Sequence, residues 1–187
     1  MDPRSILSTS EWTCGTLPAR CAPITLQVIQ QFDVARNPLF QPERDGAGHI
    51  VATFCNLFVS AATAALGCPI PHFVPIRFDL GVGAWLFREL SANATNDWLR
   101  LPSEGPKQGW KQVDITNARI QANAGRPTVA SWKNPAPDGP GHIAMVLPSP
   151  EGGPLLIAQA GAQCLFNASI SAGFGQLVSA TQFFSHP

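Results

Sequence analysis

The chain has 187 residues, 12 basic and 12 acidic side chains, a pI near 6.9, 45% hydrophobic residues and 13% charged ones. This composition fits a folded chain sized for a single domain over residues 1–187, and it excludes a disordered one. Balanced charge leaves no footprint for nucleic acid or an anionic membrane surface, and no apolar run approaches the ~20 residues of a membrane helix.

The first residues, Met1-Asp2-Pro3-Arg4-Ser5-Ile6-Leu7, lack the apolar stretch of an ordinary signal peptide, so synthesis in the cytoplasm is expected. Residues 1–22 form a loop-rich entry, within an N-terminal extension of the domain over 1–45. The 16 glycines and 18 prolines imply long connections between short elements. Five cysteines, Cys14, Cys21, Cys55, Cys68 and Cys164, fit one or two disulfides plus a free thiol, or five reduced thiols. Cys14 and Cys21 flank a Gly/Pro loop and are placed to close a small ring. No CxxC or HxxxH pattern occurs, so neither a structural zinc nor any other metal or cofactor is expected.

Apolar spacing near 3.6 with Pro at the first turn predicts a short helix over 23–32. Residues 37–48 are a loop leading to the most strongly patterned helix, 55–66, which Gly67 stops and Pro69 and Pro71 keep from resuming. Residues 83–101 have the pattern of one broken helix or two, carrying Trp85, Leu86, Leu90, Trp98 and Leu99. Asp114 is a suitable N-cap for a helix over 115–124. The texture then changes to short strand-like runs at 128–132, 143–147 and 155–159, the last two joined by a Pro/Gly hairpin loop at 148–154. One or two further strands are expected over 176–184. A helical first half and an antiparallel second half make an α+β plan.

Chemistry concentrates at two places. Cys55 falls in the first turn of its helix, with Thr53 nearby as a cap, where the helix dipole favours a thiolate. His142 follows Pro140-Gly141, opens an apolar strand, and is the candidate general base. His72 and His186 suit surface or packing roles, and His49, close upstream of Cys55, is the one competitor, with less freedom to face the thiol across a cleft. Gln159, 17 residues past His142 on the strand after the hairpin, is the candidate to orient the imidazole, ahead of Asn167 and Gln163. The Cys55 backbone N–H is the expected oxyanion donor, assisted by Thr53 or Asn56. The loop before Cys55, residues 92–98 and residues 132–141 are expected to wall a cleft, with Asn93, Asp97 and Lys133 as its polar substrate contacts.

Cys55-Asn56-Leu57-Phe58-Val59, an Ala-rich helix, and Leu66-Gly67-Cys68-Pro69-Ile70-Pro71 together resemble the nucleophile helix of NlpC-like papain-fold cell-wall peptidases. The resemblance is closer to the amidase effectors of type VI secretion systems. Those share an Asn-Ala segment, here Ala92-Asn93-Ala94-Thr95-Asn96-Asp97-Trp98-Leu99. They also share a Gly-x-Pro strand entry, here Gly125-Arg126-Pro127, and a Gly-His-hydrophobic strand, here Gly141-His142-Ile143-Ala144-Met145-Val146. The blocks cover about residues 50–160 in order; Asn56 stands where many relatives have a small Ser, and the first 45 residues have no counterpart.

The resemblance implies a papain-like fold, with the nucleophile helix of the N-terminal half packed on a C-terminal antiparallel sheet. It implies Cys55 as nucleophile, His142 as base and Gln159 in the third place. The activity implied is a cysteine amidase or endopeptidase on the peptide stem of bacterial peptidoglycan. The protein would be an antibacterial effector secreted into the periplasm of a target bacterium, with secretion machinery and an immunity protein as partners, or a lytic enzyme released by another route. Two other functions use the same residues: a papain-fold deamidase or acyltransferase on a protein or lipid, and an inert wall-binding or interaction module.

Overall fold

The computed structural model describes residues 21–79, 84–136 and 138–187. Chain order is α1 (Ala22–Gln30), β1 (Glu43–Arg44), β2 (Ile50–Ala52), α2 (Cys55–Ala65), β3 (Phe73–Asp79), β4 (Ala84–Glu89) and α3 (Ala92–Arg100). There follow β5 (Lys111–Val113), α4 (Ile115–Asn123), β6 (Thr128–Trp132), β7 (His142–Leu147), β8 (Leu156–Gln159), β9 (Leu165–Ser169), α5 (Ile170–Phe174) and β10 (Gln182–Ser185). The class is α+β. Its centre is a six-stranded antiparallel sheet in the order β5-β10-β6-β7-β8-β9, and β1-β2 and β3-β4 are separate two-stranded hairpins.

Strand alternation splits the buried side chains between two clusters, because successive residues of a strand face opposite sides. Val129, Ile143, Met145, Leu147, Ala158 and Phe184 join α1, α2 and α3 in one cluster. Ala130, Ala144, Val146, Ile157 and Phe183 join α4 and α5 in the other. Every residue of β7 from Ile143 to Leu147 is buried, so this strand sits at the middle of the core. That explains its unbroken apolar sequence.

α2 packs on β7 with Phe58, Val59, Ala61 and Ala62 turned inward. Phe58 meets Phe40 edge-on with ring centroids 5.3 Å apart, and Phe32 at 6.2 Å. Gly67, at φ 72°, ends α2 in the left-handed conformation that a side chain disfavours. Thr63 Oγ then accepts from Ile70 N at 3.0 Å, tying the Pro-rich exit back to the helix. Asp114 caps α4 by accepting from Asn117 N at 2.7 Å.

The expected helix over 83–101 is only half right. α3 occupies its second part, but residues 84–89 are a strand paired with β3, which the sequence pattern did not suggest. Exposed Trp85 and Phe87 alternate with Arg88 and the less exposed Leu86, so the apolar count imitated a helix while the period was that of a strand. β5 and β9 were likewise unanticipated, and of residues 176–184 only the end is strand, the rest being a 3₁₀ turn at Gly175–Ala180. Cys55 and Cys164 are free thiols; the expected Cys14–Cys21 ring involves Cys14, which lies outside the described residues.

Candidate functional site

Cys55 is the first residue of α2 and 4% exposed. The N-cap position is Phe54, with no side-chain capping bond, and Thr53 is exposed rather than seated as the expected cap. The backbone N–H groups of Ile143, Asn56 and Cys55 itself face the sulfur and favour the thiolate. Burial outweighs them, and the thiol pKa is raised above its ordinary value. The helix terminus therefore does not make Cys55 a resting thiolate, contrary to the sequence expectation.

His142 opens β7 opposite Trp132 of β6. Its Nε2 lies 2.8 Å from Gln159 Oε1, and the Gln159 amide nitrogen donates to Gln163 O at 3.1 Å. A carbonyl cannot donate, so the second bond fixes which end of the Gln159 amide is nitrogen. Oε1 then accepts from an Nε2–H, and the ring lone pair is on Nδ1. The imidazole also packs on Phe174 with centroids 4.8 Å apart. Burial lowers the His142 pKa and the Gln159 bond partly restores it, so the neutral base is favoured. Gly161 lies beside the ring and Gly173 beside Gln159 Oε1, each leaving room that a Cβ would take.

Thiol and imidazole meet β7 from different sides. Ile143 and Cys55 belong to the α2 cluster, whereas His142 and Gln159 pack toward Phe174 and Gly173 of α5. Among the described residues no hydrogen bond joins Cys55 Sγ to the His142 ring. The contact between the two halves runs through the Ile143 amide, one residue beyond the histidine. Proton transfer therefore needs Nδ1 to close on the sulfur around the N-terminal end of β7.

The other expected contacts have structural partners. Asn56 Nδ2 donates to Glu89 Oε1 at 3.0 Å and to Leu90 O at 2.8 Å, so its side chain is not directed at an oxyanion. Asn93 Oδ1 accepts from Asn134 N at 2.9 Å and its Nδ2 donates to Gly139 O at 2.8 Å, clamping the loop before His142 onto α3. A side chain at Gly141 would overlap Asn93 Oδ1, which accounts for the glycine before the histidine. Lys133 Nζ pairs with both Asp97 oxygens at 2.6 and 2.7 Å on the surface, so the two charges neutralise each other.

Glu89 was not anticipated from the sequence, and His72 was expected only in a surface or packing role. His72 Nε2 lies 2.8 Å from Glu89 Oε1, beside the Asn56 bond. The β3-β4 register brings them together, and Glu89 lay in the stretch over 83–101 that carried a helical pattern. Among the described residues no group of His, Cys, Asp and Glu could hold a metal, and no helix is long and apolar enough to cross a membrane.

Compared with known proteins, the chain matches no family model, and no curated protein matches it in sequence.

Proposed function

We propose that the chain is a papain-like cysteine hydrolase that cleaves an amide bond in the peptide stem of bacterial peptidoglycan. The observation that carries this reading is the Cys55 sulfur facing the Ile143 amide at the start of α2, one residue from an imidazole whose tautomer Gln159 sets. Once the ring has closed on the sulfur around the N-terminal end of β7, Nδ1, its basic nitrogen, takes the thiol proton as sulfur attacks the carbonyl carbon. The resulting imidazolium then protonates the departing amine, and water hydrolyses the thioester with the same ring as base. The N–H groups of Cys55 and Asn56 at the start of α2 supply donors for the developing oxyanion. The peptidoglycan substrate, delivery to a target periplasm, and immunity and secretion partners rest on the sequence resemblance over about residues 50–160.

A second reading, an inert wall-binding module of the same fold, is favoured by the burial of Cys55 and by its lack of a hydrogen bond to the ring. Mass spectrometry of purified peptidoglycan incubated with the protein separates the two. New amide-cleaved fragments with wild type and none with Cys55→Ala support the hydrolase, whereas an identical fragment pattern with both supports the module.

A further inference from the structure

A circuit of contacts closes around Cys55. Its neighbour Asn56 bonds Glu89 and Leu90 at the end of β4. Asn93, three residues on from Leu90, clamps the loop before His142, and the Ile143 amide returns to the Cys55 sulfur. Glu89 thus stands one side-chain hydrogen bond from the residue that follows the nucleophile. Lys133 and Asp97, which also border this circuit, pair with each other.

The surroundings of Glu89 are specific. Asn56 and His72 both bond Oε1, and the side chain is 56% exposed. Phe73 is its cross-strand partner and Phe87 lies two residues earlier on β4, so strand alternation puts both rings on the carboxylate's face of the hairpin. They are 54% and 60% exposed, and the His72 ring packs on Phe73 with centroids 4.5 Å apart. The His72 bond first, and Asn56 after it, hold the Glu89 carboxyl below the usual carboxylate range, so it is charged at neutral pH. A carboxylate beside two open aromatic rings attracts a protonated amine twice, by charge and by cation–π contact, and repels an anion.

We infer that Glu89, Phe73 and Phe87 form a subsite for a protonated primary amine of the substrate close to the scissile amide. This deepens the hydrolase reading and rests on it: the substrates are amine-bearing peptides. The amine is either the side chain of a diamino residue or a free peptide N-terminus, and the test separates them.

Four stem-peptide fragments are compared: both amines free, only the side-chain amine acetylated, only the α-amine acetylated, and both acetylated. Cleavage by wild type is expected to be about tenfold higher in kcat/KM for a free-amine fragment than for the doubly acetylated one. The singly acetylated fragment that retains the preference identifies the amine. Glu89→Gln, which keeps an acceptor for Asn56, and Phe87→Leu at an exposed position should each shrink the ratio of free-amine to doubly acetylated cleavage. A ratio between two substrates does not move with the amount of folded protein. Cys55-dependent cleavage that is equal for all four fragments overturns the subsite and leaves the hydrolase standing. If wild type cleaves none, the hydrolase reading falls, and calorimetric binding of the same fragments to Cys55→Ala decides. Amine-dependent affinity that Glu89→Gln abolishes supports the subsite; amine-independent binding, or none, overturns it.

Discussion

Gly173 of α5 lies so close to Gln159 that a Cβ on it would overlap the Oε1 that bonds the His142 ring, and would also crowd Ile157 Cδ1. The orientation of the candidate base thus depends on the absence of a side chain on an element remote in sequence from both Cys55 and His142. Gly173→Ala is expected to lower kcat by ~10²-fold through misplacement of the imidazole. It should cost about 1–3 kcal/mol of stability through overpacking. Gln159→Ala should lower kcat similarly without the crowding. Denaturant melts and ring ¹⁵N shifts of His142 check both effects. Gly46→Ala, where a Cβ meets nothing within 4 Å, is the control and should change neither.

The buried, neutral His142 makes stability depend on pH in a defined window. Its folded pKa lies below the ordinary 6.5, so between the two values the unfolded chain binds a proton that the folded chain refuses. Stability is complete above about pH 6.5 and falls as pH drops through the depressed folded value. Glu89, Asp45 and Asp114, whose pKa values are lowered from 4.5 and 3.8, act below that window. Thermal melts from pH 7.5 to 5 should show a decline in wild type that His142→Gln flattens.

Cys55 should alkylate slowly at neutral pH. With its pKa raised by burial, the thiolate fraction at pH 7 is below that of a free thiol, whose ordinary value is 9.0, and it rises only toward alkaline pH. Iodoacetamide labelling followed by peptide mass mapping should find the Cys55 rate still climbing past pH 9. A plateau reached below pH 7 would mean a thiolate–imidazolium pair, and a different resting state from the one described.

Asn93→Ala should loosen the loop over residues 133–141. It removes an acceptor from Asn134 N and a donor from Gly139 O, for about 1–3 kcal/mol in total. Because that loop leads directly to His142, kcat/KM on peptidoglycan fragments should fall as well. Hydrogen exchange confined to the loop would locate the change. Asp97→Ala, breaking only an exposed ion pair, should cost no more than about 1 kcal/mol.

Much of this arrangement was legible in the chain. Helix α2 announced itself by Cys55 to Ala65 with Gly67 beyond, α4 by its Asp114 cap, and β6, β7 and β8 by apolar runs between Pro/Gly turns. The His142–Gln159 bond followed from the hairpin between their strands, since antiparallel neighbours bring such residues together. What stayed hidden depended on register or depth. Exposed aromatics in β3 and β4 broke the usual link between apolar character and burial, so the pattern misled there and concealed Glu89. Position along a helix also says nothing about how deeply it is packed. A cysteine in a first turn suggested a lowered pKa, and only packing on β7 reveals the desolvation that reverses the sign.

β10 sits inside the six-stranded sheet, between β5 and β6, although it is the last element in the chain. Strands β6 to β9 pair with their sequence neighbours, but the other edge of Thr128–Trp132 has no partner until Gln182–Ser185 is in place. While residues 133–181 are being synthesised, that edge presents unpaired backbone donors and acceptors beside apolar side chains, the usual template for intermolecular strand pairing. Closing β6 against a strand about fifty residues further on makes this sheet dependent on a long-range pairing, and an unpaired β6 edge is the place where intermolecular strand addition would begin.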